Sequence, residues 1–117
     1  MVERERRAAP RIRAYRPVKL RRHAAQQPIE TLTKDVSAGG LRCLSPIPVP
    51  VTTPLKVELV FSDGQESFGV TGRAVWFRVI PQSDQFDLGI AFDGLSDENK
   101  RRLSVYLSNL STKSFQL

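Results

Sequence analysis

Residues 55–80 read LKVELVFSDGQESFGVTGRAVWFRVI. Leu55, Val57, Leu59 and Phe61 alternate with other neighbours, the period-two pattern of a half-buried strand. Asp63-Gly64 then supplies a tight-turn dipeptide, and residues 67–80 resume as a long β-rich run. The stretch predicts a β-hairpin. Gly69 and Gly72 predict a bend or bulge in its second arm.

The same alternation recurs on both sides. Val18 and Leu20 alternate with Lys19 and Arg21, and Gln26-Gln27-Pro28 reads as a turn. Ile29, Thr31 and Thr33 form a β-branched strand that DVSAGG (35–40) is expected to break. Leu41 and Cys43 restart a short strand, and the four prolines of SPIPVPVTTP (45–54) suit a connector. PQSDQ (81–85) turns the chain before Phe86, Leu88, Ile90 and Phe92 alternate again. The ending changes period. Ser96 is placed to cap a helix, Asp97 and Glu98 favour its positive end, and Leu103, Tyr106, Leu107 and Leu110 make one apolar stripe. The expectation is a mainly β fold: a small six-stranded antiparallel barrel, a basic N-terminal arm over 1–16, barrel over 17–95 and an amphipathic helix over 96–112.

At 117 residues one domain is expected, large enough for one modest core. No apolar run is long enough to span a bilayer, so membrane insertion is not expected. The charged N-terminus lacks the apolar stretch of a signal peptide, and the lone Cys43 has no partner for an internal disulfide. Both favour a cytoplasmic protein. Cys43 follows Leu41 in the apolar pattern and reads as a small buried hydrophobe.

Charge is uneven. The chain carries +6, yet residues 1–23 alone hold nine basic and two acidic side chains, leaving the rest near neutral. The head of the chain attracts whatever anion the protein prefers. Catalysis is not expected. The only histidine is His23, and no metal-ligand cluster, nucleophile elbow or phosphate-cradling loop is present in the sequence.

Two short patterns remain: Arg7-Ala8-Ala9-Pro10-Arg11, preceded by Arg6, and Asp35-Val36-Ser37-Ala38-Gly39-Gly40. Each alone is weak. In this order and at this separation they resemble the PilZ family of cyclic di-GMP receptors. The GRAVWF and LGIAF strands and the final helix extend the resemblance over nearly the whole chain. It implies a bacterial second-messenger receptor that binds cyclic di-GMP, changes the conformation of its arm and signals to a partner protein. Cyclic di-GMP would be a ligand; no cofactor or metal is expected.

The residue chemistry is compatible. Arginine matches the O6/N7 edge of guanine, stacks on its plane and forks onto phosphate, which suits Arg7 and Arg11. Asp35 and Ser37 supply acceptors for the guanine N1/N2 edge. Gly39 and Gly40 would let the backbone turn and approach the ligand without a Cβ. Asp35 has two plainer roles open to it: a turn-former bonding its own backbone, or a salt bridge to an arm arginine. Arg6 resembles members of the family that bind an intercalated pair of ligands, two molecules per protomer; a solvated side chain is the alternative. Trp76 offers either an aromatic plane for a guanine or a core side chain, and Arg78 follows on the same face. Arg13 is a weaker candidate of the same kind.

Two other functions compete. A barrel that binds single-stranded nucleic acid needs a cationic groove and several exposed aromatics, but here the charge is in the arm. Nucleic acid is therefore not the expected partner. A protein-interaction adaptor docking through the arm is the other.

Overall fold

A computed structural model of the chain describes residues 12–22, 27–60 and 67–115. Among the described residues seven strands precede one helix: β1 (Ile12–Arg13), β2 (Pro17–Arg21), β3 (Ile29–Ser37), β4 (Gly40–Ser45), β5 (Pro54–Val60), β6 (Ser67–Val79), β7 (Phe86–Asp93) and α1 (Asp97–Phe115). The order around the sheet is β3–β2–β5–β6–β7–β4, and β4 pairs back onto β3. Six antiparallel strands therefore close into a barrel, which removes their free edges. β5 and β6 are antiparallel neighbours up to Val60↔Ser67, as the hairpin reading requires; its Asp63-Gly64 turn lies outside the described residues.

The alternation read from the sequence sorts inside from outside. Leu20, Val57, Leu59, Val70, Ala74 and Leu88 are buried, and Lys19, Lys56 and Thr71 between them face out. Cys43 is fully buried, and burial, with the Asp87 charge added, pushes its thiol pKa up to about 12. Helix α1 begins where Ser96 Oγ accepts the Asn99 N–H at 3.1 Å. Its Leu103, Tyr106 and Leu110 join the barrel core, with Tyr106 edge-on to Phe68 at 5.9 Å between centroids. Asn99 Nδ2 donates to the Gly69 carbonyl at 3.3 Å, a polar tie between helix and β6.

Three details differ from the sequence reading. The break expected over 35–40 is only Ala38-Gly39, because Asp35, Val36 and Ser37 continue β3 and pair with β4. Residues 12–16, counted with the arm, lie against the barrel: Ile12 and Arg13 pair with Val36 and Asp35. The Thr33 hydroxyl holds this segment down, accepting the Arg16 N–H at 3.0 Å and donating to the Ala14 carbonyl at 2.6 Å. Finally, the irregularity in β6 falls between Ala74 and Trp76, not at Gly69 or Gly72. Gly72 serves close approach instead, since a Cβ there would sit 2.4 Å from the Ala91 carbonyl oxygen.

Candidate functional site

The pairing register lays five residues of five strands in one row across the outer face. Arg13 is opposite Asp35, Asp35 opposite Arg42, Arg42 opposite Gly89 and Gly89 opposite Trp76. Directly opposed residues share a face, so each step carries chemistry to the next strand. Two register shifts make the row. One lies between Thr33 and Asp35 in β3, the other between Ala74 and Trp76 in β6. Each inserts an extra residue, Lys34 or Val75, and turns the side chain that follows to the opposite face. Asp35 thereby leaves the inward parity of Ile29 and Thr33, and Val36 takes it over.

Trp76 follows the same logic. Phe68, Val70 and Ala74 point inward at even positions, and the extra residue puts Trp76 outside. Its indole is half-buried on Gly89, where an added Cβ would meet Cε2 at 2.3 Å. Arg78 lies with its Cζ 5.4 Å from the indole centroid, within cation–π range.

The β3–β4 turn supplies the other sequence-predicted residues. Asp35 Oδ2 is 3.1 Å from Arg42 Nε, so the carboxylate pairs with a strand neighbour. The Ser37 hydroxyl accepts the Gly39 N–H at 3.2 Å and lies 3.3 Å from the Gly40 carbonyl, to which it donates. Neither glycine has the left-handed backbone that a sharp glycine turn would use. Gly40 is instead pressed against β7, where a Cβ would come 2.1 Å from the Ile90 carbonyl oxygen. A Cβ on Gly39 would point into open space. Ser37, Gly39, Gly40, Trp76 and Gly89 line a cleft of about 140 Å³. Structure thus brings Asp35, Ser37, Gly39, Gly40, Trp76 and Arg78 to one outer region. Arg6, Arg7 and Arg11 lie outside the described residues.

Sequence reading passed over Arg42, Lys34 and Asp87. Asp87 is 7% exposed, with Lys34 Nζ 2.7 Å from Oδ1 and Arg78 Nη2 3.5 Å from Oδ2. Burial opposes its ionisation, but the Lys34 hydrogen bond and charge, with Arg42 and Arg78, outweigh it and hold the carboxyl below its ordinary range. The available signal was parity: Arg42 sits between inward Leu41 and Cys43, and Asp87 precedes inward Leu88. Among the described residues no group of three or more His, Cys, Asp or Glu is placed to hold a metal ion. No described helix is long and apolar enough to cross a membrane.

A closed six-stranded barrel with a C-terminal helix and a charged, aromatic outer face defines the class. The chain belongs to the PilZ domain family, whose model matches residues 5–109. Solved structures agree on the fold. The PilZ domain of YcgR from Escherichia coli, solved with c-di-GMP, superposes with a TM-score of 0.70 at 19% identity, over 96% of this chain and 99% of that one. The K. pneumonia MrkH–c-di-GMP complex gives 0.75 at 17% identity over 94% of this chain. The Bacillus subtilis inhibitor of motility MotI/DgrA gives 0.72 at 13% identity over 92%. This chain spans 53% of the MrkH chain and 51% of the MotI/DgrA chain. No curated protein matches it.

Proposed function

We propose that this chain is a cyclic di-GMP receptor whose N-terminal arm closes over the ligand. The observation that carries the reading is the row Arg13–Asp35–Arg42–Gly89–Trp76, which sets guanidinium, carboxylate and indole on one outer face. Those groups fit a guanine: arginine to O6/N7, carboxylate to N1/N2, an aromatic plane for the base. Family membership, and neighbours solved with c-di-GMP, support the ligand class.

In this mechanism Arg7 and Arg11 grip phosphate and guanine, Asp35 and Ser37 accept from the guanine edge, and Gly39 leaves room for it. Trp76, with Arg78 on its face, borders the base. Ligand phosphates offset the positive charge of residues 1–23 and draw the arm to the barrel. A partner protein then reads the change through its different affinity for the two states. Arg6 adds a cation for a second, intercalated ligand. The Asp35–Arg42 pair holds the carboxylate in place beforehand, so less ordering remains for binding.

Calorimetry tests the site. Cyclic di-GMP is expected to bind at micromolar concentration or tighter, and Arg7→Ala and Asp35→Ala each to abolish it. Unchanged binding in both variants overturns the assignment. A strongly salt-dependent interaction with a single-stranded oligonucleotide, and none with the dinucleotide, would favour the nucleic-acid alternative. Stoichiometry separates the Arg6 role, with about two ligands per protomer falling to about one in Arg6→Ala. Hydrogen exchange over residues 4–11 tests the arm: equal exchange with and without saturating ligand rejects closure.

A further inference from the structure

Elsewhere on the outer face, β2, β5, β6 and β7 set a second row. Arg21 is opposite Lys56, Lys56 opposite Thr71 and Thr71 opposite Asp93. Arg22 follows immediately after β2. These five residues, with Pro54 beside them, line a cleft of about 420 Å³, a volume typical of small-molecule sites. It shares no residue with the Asp35–Trp76 row, and on β6 Arg73 stands between Thr71 and Trp76.

The charges in this cleft are unbalanced. Asp93 is already engaged, accepting from Thr71 Oγ1 at 3.1 Å and from Arg73 Nη1 at 3.0 Å. The ion pairs among described residues include none of Arg21, Arg22 or Lys56. Arg21 and Lys56 are nonetheless directly opposite, an arrangement of like charges that destabilises antiparallel strands. Arg22 Nε is shielded from solvent with no hydrogen-bond partner, a costly state for part of a cation. An anion with several acceptor oxygens offsets this concentration of positive charge and relieves the Arg21–Lys56 repulsion. A phosphate group fits, because guanidinium forks match two of its oxygens and an ammonium adds a point charge.

We propose that this cleft is a second anion site that takes a small phosphate-bearing molecule through Arg21, Arg22 and Lys56. It is independent of the dinucleotide face. The shared chemistry is the phosphate group.

The test uses pyrophosphate on the full chain at low ionic strength, by calorimetry and thermal unfolding. A saturable site is expected that is weakened at least about tenfold by Arg22→Gln and by Lys56→Gln and unchanged by Arg7→Ala. Pyrophosphate is expected to raise the wild-type melting midpoint and not that of the double variant. Lys56→Gln alone, at an exposed position that folding tolerates, is expected to raise the unliganded midpoint at low salt by relieving the Arg21 repulsion. Cyclic di-GMP affinity is expected to be equal in the wild type and the double variant, so failure here and failure of the dinucleotide site are distinguishable. Equal pyrophosphate affinity in wild type and double variant overturns the proposal. So does loss through Arg7→Ala with Arg22→Gln unaffected, which would place the probe at the dinucleotide site.

Discussion

Trp76 rests on Gly89 so closely that a Cβ on the glycine would come 2.3 Å from Cε2 and 2.4 Å from Nε1 of the indole. No side chain other than hydrogen fits beneath the ring. Gly89→Ala is therefore expected to lift the indole from β7, at a cost of about 1–3 kcal/mol, the usual range for forcing volume into a packed site. Trp76 is the only tryptophan, so its emission reports the shift directly. An unchanged spectrum together with an unchanged urea midpoint would contradict the contact. If the indole borders the bound guanine, the same variant also weakens cyclic di-GMP.

The Lys34–Asp87–Arg78 group predicts acid sensitivity with a definite sign. The Asp87 carboxyl is held below its ordinary range in the folded chain, whereas the unfolded value is about 3.9. The group therefore contributes stability that is present above the unfolded value and is lost as pH falls through the lower folded one. Urea unfolding between about pH 2 and pH 7 is expected to show this loss at the acid end in the wild type. In Asp87→Asn the contribution is absent throughout, so the two curves converge as the pH falls. Parallel curves would remove Asp87 from the account.

Thr33 is a more sensitive point than its chemistry suggests. Its buried hydroxyl serves both the Arg16 N–H and the Ala14 carbonyl, and its own N–H donates to the Arg16 carbonyl at 2.8 Å. Thr33→Val keeps the volume and removes the hydroxyl. A backbone donor and an acceptor then lose their partner, an effect of about 1–3 kcal/mol. Hydrogen exchange should accelerate first at residues 12–16, which this hydroxyl ties to β3. Uniform acceleration across the barrel would show that the effect is global and not local.

Cys43 is expected to be inert. It is fully buried, and its thiol pKa of about 12 leaves a negligible thiolate fraction at neutral pH. A thiol reagent should label it only after unfolding, at a rate that follows global stability. Rapid labelling of the native chain would reject this.

Much of the barrel was legible in the sequence because its signal is local. Val18 and Leu20, Leu55 to Leu59, and Phe86 to Ile90 alternate with a period of two, and Ser96 announces the helix with its own hydroxyl. The register was not legible. Whether Trp76 faces in or out depends on one extra residue at Val75, and alternation from Ala74 would have placed it inside. Arg42 was missed for a related reason: a lone arginine between Leu41 and Cys43 looks like any solvated strand position until Asp35 is found opposite it. Arg21 and Lys56, which the sequence leaves as ordinary outward cations, also become neighbours only through strand pairing.

The sequence by itself determined the class of fold, the separation of a basic head from a near-neutral body, and the two motifs that gave the family resemblance. These depend on composition and short-range period, which a linear chain records directly. Tertiary structure decided which side chains meet. Barrel closure aligns Arg13, Asp35, Arg42, Gly89 and Trp76 from five strands, and two bulges turn Asp35 and Trp76 to the face they occupy. A one-residue slip reverses every side chain beyond it, so no local pattern specifies that face before the strands have paired.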